Sequence, residues 1–241
     1  MKKIYGRKPV LEAIKSGQEI EQILIPFGSK GNFYNELKVE AKKNKIKIAE
    51  LPTHKFQQLE KGNNTQGVIA NITEFNFSSV EEIITSSKEK QYPLILLLDS
   101  IQDPQNLGAI LRSAECFGVD GVLITTHQSS PITETVEKTS AGAINHLKIA
   151  KVTNLVQEMK FLKENGFWIV GSTLENSQVY TSVDYKIPIA LIMGNEEKGI
   201  RKLVADNCDF LVHIPMKGKI QSLNVSVAAG ILLAEISNNR K

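Results

Sequence analysis

Cysteine is nearly absent from this chain. Its 241 residues hold two, Cys116 and Cys208, with no CxxC partner for either, which argues against a disulfide framework or a zinc site and leaves both as packing residues. None of the four histidines, His54, His127, His146 and His213, has ligand spacing, so no metal is expected. Long apolar runs are missing as well. The longest, "PLILLL" near Leu94, is far too short to cross a bilayer, and "MKKIYGRKPVLEAIK" is too charged for a signal peptide. The protein is expected in the cytosol, without a membrane partner. No GxGxxG follows any strand-like run and no GxxxxGK[ST] occurs, so neither a dinucleotide fingerprint nor a P-loop is present. Aspartate is missing from residues 1–76, where 13 Lys and Arg face 8 Glu for a net charge of +5, while the remainder carries −2. A solvated surface rich in lysine would look the same, but the imbalance leans towards a polyanionic partner for the front of the chain.

What remains is ordinary globular material. With 41% hydrophobic and 23% charged residues, the chain has enough apolar content for two modest domains. In the front part, "YGRKPVLEAIKSG" reads as a helix with Pro9 in its first turn and Gly17 at its end. It is followed by strand "EQILI", helix "NFYNELKVEAKKN" closed by Asn44, strand "KIKIAEL", short helix "THKFQQLEKG" and strand "QGVIANI". This alternation predicts a small α/β sandwich over residues 1–76 with a mostly buried sheet. Phe33, Tyr34, Phe56 and His54 read as core or surface groups, since no RNP-like strand surrounds them. Residues 77–92 read as a linker plus a first helix, capped by Ser78 or Ser79 with Glu81 and Glu82 behind it. From residue 93 to 241 the rhythm restarts with the strands "LILLLD", "GVLIT", "HLKIA", "WIVGS", "IALIMG" and "FLVHI", separated by helical segments. Strands so continuously apolar predict a parallel sheet covered on both faces, with ligands at the C-terminal ends of its strands.

Three clusters fall at strand ends. In "DSIQDPQNLGAILRSAECFG" the turn Asp103-Pro104 leads to Asn106 at the start of a helix, with Arg112 further along it; Arg112 is a surface residue or an arginine aimed at a phosphate. In "LIMGNEEKGIRKL" a strand stops at Gly194, whose missing Cβ would let a ligand touch the backbone. Glu196 follows at the expected start of a helix, and Glu197 suits that helix's dipole. In "HIPMKGKIQSLNVSVAAGILLAE" a strand ending near Ile214 runs through a loop with Pro215 and Gly218 into a helix, with Ser222 and Asn224 at the expected N-cap and first turn. Read alone, each is an ordinary strand, loop and capped helix.

Together, "NLGAILR", "IMGNEEKGI" and "IPMKGKIQSLNVSVAAGILLAE" resemble the three signature motifs of the SpoU (TrmH) branch of SPOUT methyltransferases, in order and suitably separated. "YGRKPVLEAI" and "QGVIA" resemble the front domain of the RlmB-like members, which 2′-O-methylate a guanosine of 23S ribosomal RNA. Lys8 stands where Asn or His is more usual, and Thr65 where His often precedes Gln-Gly. The resemblance implies a homodimer with an L30e-like RNA-binding domain at the front and a SPOUT α/β domain with a parallel sheet and a C-terminal trefoil knot. It also implies S-adenosyl-L-methionine as cofactor, held mainly by backbone groups of the knot loops. Those loops map to "STL" at Thr173, the turn at Gly194, and the stretch from Ile214 through Met216 to Leu223. Arg112 occupies the position the family is often said to use as general base. A guanidinium with a pKa above about 12 rarely gives up a proton, so Arg112 is expected instead to bind RNA phosphate and favour the alkoxide, with Asn106 positioning it. Glu196 would orient Arg112 or the RNA, and Ser222 and Asn224 would shape the substrate pocket. The rival expectations are a related enzyme acting on transfer RNA, a non-catalytic RNA-binding assembly factor and, more distantly, a nicotinamide-dependent dehydrogenase.

Overall fold

The structure, a computed structural model, describes residues 2–15, 18, 20–60, 62–72, 75–220 and 222–240. Gly17, expected to close the first helix, lies outside the described residues. The chain divides into two compact units, residues 1–76 with 131–134, and residues 77–130 with 135–241.

In the first unit the elements run β1 (Lys2–Tyr5), α1 (Arg7–Lys15), β2 (Ile20–Pro26), α2 (Asn32–Lys43), β3 (Lys47–Leu51), α3 (Thr53–Glu60) and β4 (Ile69–Ile72). The sheet order is β1-β4-β2-β3, with β2 and β3 parallel and both pairings of β4 antiparallel. Ile23 and Ile25 pack with Val10, Ile14 and Leu37 on one face, while Leu24 meets Phe56 and Ile69 on the other. Burial on both faces is why β2 reads as an unbroken apolar run. β3, at the sheet edge, is only half-buried. β1 was not expected: its two lysines hide a strand that pairs with β4 from Lys2↔Ile72 to Tyr5↔Ile69. Phe56 and Tyr34 are core residues, Phe33 is half-buried and His54 is exposed.

The front-domain motifs, far apart in sequence, meet at the start of α1. The Gln66 side chain accepts from the Arg7 backbone N–H at 3.1 Å, and Arg7 Nε donates back to the Gln66 carbonyl at 3.0 Å. α1 therefore takes its cap from another part of the chain, because Gly6 before it has no side chain to offer. Gln66 pays for the placement with φ +48, and a methyl on Gly67 (φ +79) would strike the Tyr34 hydroxyl. Arg7 also lies 5.1 Å from the Phe33 ring centroid and 5.3 Å from that of Tyr34.

The second unit continues with α4 (Val80–Ser87), β5 (Leu94–Leu98), α5 (Pro104–Cys116), β6 (Gly121–Thr125), α6 (Glu134–Thr139), β7 (Ile149–Val152), α7 (Leu155–Glu164), β8 (Trp168–Ser172), β9 (Gln178–Val179), β10 (Ile189–Met193), α8 (Lys202–Ala205), β11 (Phe210–His213) and α9 (Val225–Asn239). α4 opens on a complete capping box, Ser79 with Glu82. All seven strands are parallel in the order β7-β6-β5-β10-β8-β11-β9. The strand at 149–152 starts later than "HLKIA" suggested, and two-residue β9 was unforeseen. β5, β6 and β10 are buried at every position, and α9 packs on α5. The chain leaves β5 towards β6 on one side and β10 towards β11 on the other, so the switch point where doubly wound sheets bind ligands lies between β5 and β10. Among the described residues no helix is long and apolar enough to cross a membrane.

Candidate active site

Two loops leave the sheet side by side at the switch point, and successive polar ties join them. At the end of β5, Asp99 donates its N–H to the Met193 carbonyl at 2.9 Å. Its buried carboxylate accepts from Arg201, through Nε at 2.8 Å and the backbone N–H at 3.1 Å. Ser100, buried at φ +66, turns the chain sharply. That conformation costs a residue with a Cβ roughly 1–2 kcal/mol. It is held because the Ser100 N–H donates to Thr125 Oγ1 at 3.1 Å and its carbonyl accepts from Asn195 Nδ2 at 2.9 Å. The turn delivers Asp103, the N-cap of α5, whose carboxylate accepts from the Asn106 N–H at 2.8 Å with Pro104 next in line.

The loop after β10 differs from expectation. Instead of opening a helix, residues 195–199 form a tight turn closed by reciprocal 2.9 Å bonds between the Asn195 and Gly199 backbones. Asn195 Oδ1 caps the turn by accepting from the N–H groups of Glu197 and Lys198. Helical structure waits until Lys202 and lasts four residues, so Glu197 faces no helix dipole. Gly194 is also explained differently. A methyl there would run into the Gly199 carbonyl carbon and the Ile200 nitrogen, so the glycine is needed to make room for its own chain.

These loops bring three of the expected residues together. The Glu196 carboxylate accepts from Asn106 Nδ2 at 3.3 Å, the Asp103 N–H at 3.4 Å and Asn195 Nδ2 at 3.1 Å. Asn106 Oδ1 accepts from Asn224 Nδ2 at 2.9 Å, and Asn224 Oδ1 accepts from the Ser226 N–H at 2.8 Å and its hydroxyl at 2.6 Å. The order is chemically determined: a carboxylate at one end only accepts and a backbone N–H at the other only donates, so both amide orientations follow. Among the described residues each of these two amides gives only one of its N–H groups to the protein, which keeps the second for a ligand oxygen. Asn224, not Ser222, is the N-cap of α9; Ser222 lies in the exposed loop before it.

Other expected residues stand apart from this chain. Arg112 is exposed on α5 and has no hydrogen-bond or ion-pair partner among the described residues, while Glu196 is engaged with Asn106 and Asn195. Thr173, Gly194 and Ile214 each follow directly on β8, β10 and β11, three adjacent strands. Thr173 donates its N–H to the Val212 carbonyl at 3.0 Å, Met216 is half-buried and Leu223 is 37% exposed. Leu174 and Ile220, on the same loops, are also exposed apolar residues. Sequence reasoning gave no role to Asp99, Ser100, Asn195, Arg201 or Ser226. One signal was available for the first, a carboxylate directly ending a fully apolar strand.

Comparison with known proteins gives a consistent picture. A profile of the SpoU rRNA Methylase family matches residues 93–234, and one described as RNA 2′-O ribose methyltransferase substrate binding matches residues 3–78. A Staphylococcus saprophyticus protein named as a TrmH family tRNA/rRNA methyltransferase is 40% identical over 238 residues, covering 98% of this chain and 95% of its own. The AdoMet-bound rRNA methyltransferase from Sinorhizobium meliloti aligns with a TM-score of 0.63 at 25% identity, over 98% of this chain and 86% of its own. The A. aeolicus TrmH/SpoU tRNA modifying enzyme aligns with a TM-score of 0.58 at 33% identity, over 66% of this chain and 83% of its own.

Proposed function

The chain belongs to the SpoU rRNA methylase family, and from that premise we propose that it transfers a methyl group from S-adenosyl-L-methionine to a ribose 2′-hydroxyl of structured RNA, a guanosine of 23S ribosomal RNA. The observation that carries this reading is the Glu196–Asn106–Asn224 chain at the switch point, because it joins one residue from each of the three motifs in a single bonded array.

The residues present fit the cofactor. Thr173, Gly194 and Ile214 begin three loops on adjacent parallel strands, and the exposed apolar side chains of Leu174, Ile220 and Leu223 give those loops surface suited to an adenosyl group. Ile214, Met216 and Leu223 would hold it together with backbone groups at Thr173 and Gly194. When bound, it supplies an electrophilic methyl on a sulfonium centre. The protein's own task is to hold the ribose oxygen in line and to lower the cost of losing its proton. Asn106 and Asn224, fixed by Glu196 and Ser226, offer the pre-oriented N–H groups. Arg112, without a hydrogen-bond or ion-pair partner among the described residues, binds the RNA phosphate and favours the alkoxide electrostatically. Ser222 shapes the pocket rim.

Residues 1–76 serve as the L30e-like RNA-binding domain, in keeping with their +5 charge. Ribosomal RNA is preferred over transfer RNA because the relative named for rRNA aligns over 98% of this chain and the one named for tRNA over 66%. We further infer a cytoplasmic homodimer whose segment between β11 and α9 forms the trefoil knot; the packing of α9 on α5 supports that path. The test is tritium transfer from labelled S-adenosylmethionine into unmodified 23S RNA and bulk tRNA, with nuclease mapping. Label as 2′-O-methylguanosine in 23S RNA is expected. Label in tRNA alone would move the target, and absence of cofactor binding would leave an assembly factor.

A further inference from the structure

Two arginines of the second unit are held in opposite ways. Arg240 turns every side of its guanidinium to main-chain carbonyls: Nε to Tyr185, Nη1 to Tyr92, and Nη2 to Pro93 and Ile187. An arginine so engaged, with four of its five N–H donors on carbonyls, ties chain segments together and has no free fork for a ligand. Arg201 is held along one edge. Its Nε and backbone N–H go to Asp99, which is 0% exposed, while the arginine side chain is 56% exposed. Nη1 and Nη2 have no hydrogen-bond or ion-pair partner among the described residues.

A guanidinium fixed through Nε, with its outer fork free, matches two oxygens of one phosphate in a plane, which a lysine cannot do. Its place is equally informative. Arg201 ends the loop after β10 at the switch point, and Asn195 of that loop donates from one amide to both the Ser100 carbonyl and Glu196. Arg201 and the Glu196–Asn106 pair are therefore mounted on the same two loops.

We propose that Arg201, oriented by buried Asp99, binds a backbone phosphate of the RNA beside the ribose that is methylated. The assignment rests on the RNA methyltransferase reading above. It differs from Arg112 in kind: Arg112 is a helix side chain without a partner among the described residues, whereas Arg201 is pre-oriented, so little rotamer freedom is lost on contact.

The test is affinity for an unmodified 23S RNA transcript measured between about 50 and 200 mM potassium chloride. It compares the parent chain with Arg201→Gln and with the double variant Asp99→Asn/Arg201→Gln, which leaves no buried carboxylate without its partner. Loss of one phosphate contact flattens the slope of log affinity against log salt by about 0.7 to 0.9. Both variants are expected to show this with S-adenosylmethionine affinity unchanged, a combination that a purely structural role would not produce. Parent-like slopes in both variants would overturn the assignment. Unchanged slopes with weakened cofactor binding would do so too, and would reassign the fork to the cofactor's carboxylate. A parent chain that fails to bind RNA at all removes the RNA reading itself, so the two failures are told apart by the parent alone.

Discussion

Asn106 sits between a group that only accepts and one that must donate, so its amide has one workable orientation. Replacing it with alanine removes a pre-oriented donor and frees both neighbours; methyl transfer is expected to fall about 10²–10³-fold. Asn106→Asp should be no better, since it sets a second carboxylate against Glu196, and a single-turnover assay on both variants checks this. Arg112→Ala is expected to abolish turnover while calorimetric affinity for S-adenosylmethionine stays near the parent value; equal loss of both would contradict its assignment to RNA. The cysteines separate by environment. Burial pushes the Cys208 thiol up to about 12, outweighing nearby Lys163, and the thiol donates to the Val204 carbonyl at 3.3 Å, whereas Cys116 is exposed. Native protein titrated with a disulfide reagent at pH 8 should show one fast thiol, absent in Cys116→Ser, with the second reacting only on unfolding.

Among the elements, the turn at 195–199 teaches the most. Its sequence, two acids after a glycine, reads as the start of a helix, and the glycine as an opening for a ligand. The helix inference used local chemistry correctly and missed a side-chain cap: Asn195 takes the amides that a helix would have used, and Gly194 is needed because the turn folds back on it. Gly194→Ala is expected to displace the turn, destabilise the fold by about 1–3 kcal/mol and depress activity with it, measured by denaturant midpoint and assay together. The cap of α1 was equally hidden from local reading, because Gln66 lies 59 residues from the N–H it accepts. Gln66→Ala should cost about 1 kcal/mol in urea melts that follow the first unit. Elements with strong periodicity, such as α5, α7 and β10, were legible. Asn106, Glu196 and Asn224 were legible through their motifs, but the bonds among them were not.

For the whole molecule, continuous apolar strands announced a parallel sheet, but their order depends on crossovers that no local pattern records. The β5–β10 neighbourhood, and with it the Asp99–Arg201 pair 102 residues apart, belongs to that unreadable part. Stability against alkali is also a property of the whole. Tyr185, desolvated and near Glu235, is raised from 10.0 to about 12, and Cys208 from 9.0 to about 12. Both are acids that hold their protons more tightly when folded. Their contribution is complete below pH 9 and is lost as pH rises through the interval from 9 to 12. Urea midpoints taken at intervals from pH 8 to about 11 should therefore decline, and less steeply in Tyr185→Phe.

The amide bond from Asn224 to Asn106 spans 118 residues of chain. A ribosome builds Asn106 long before Asn224, and the N-terminal parts of a nascent chain fold first. A half-made copy would hold the arginines and the basic front domain, and could cling to RNA, while lacking the amide that completes the array. If Asn224 acts on the ribose hydroxyl as proposed, the chain is born silent, and its chemistry switches on only when α9 has been delivered and has settled on α5.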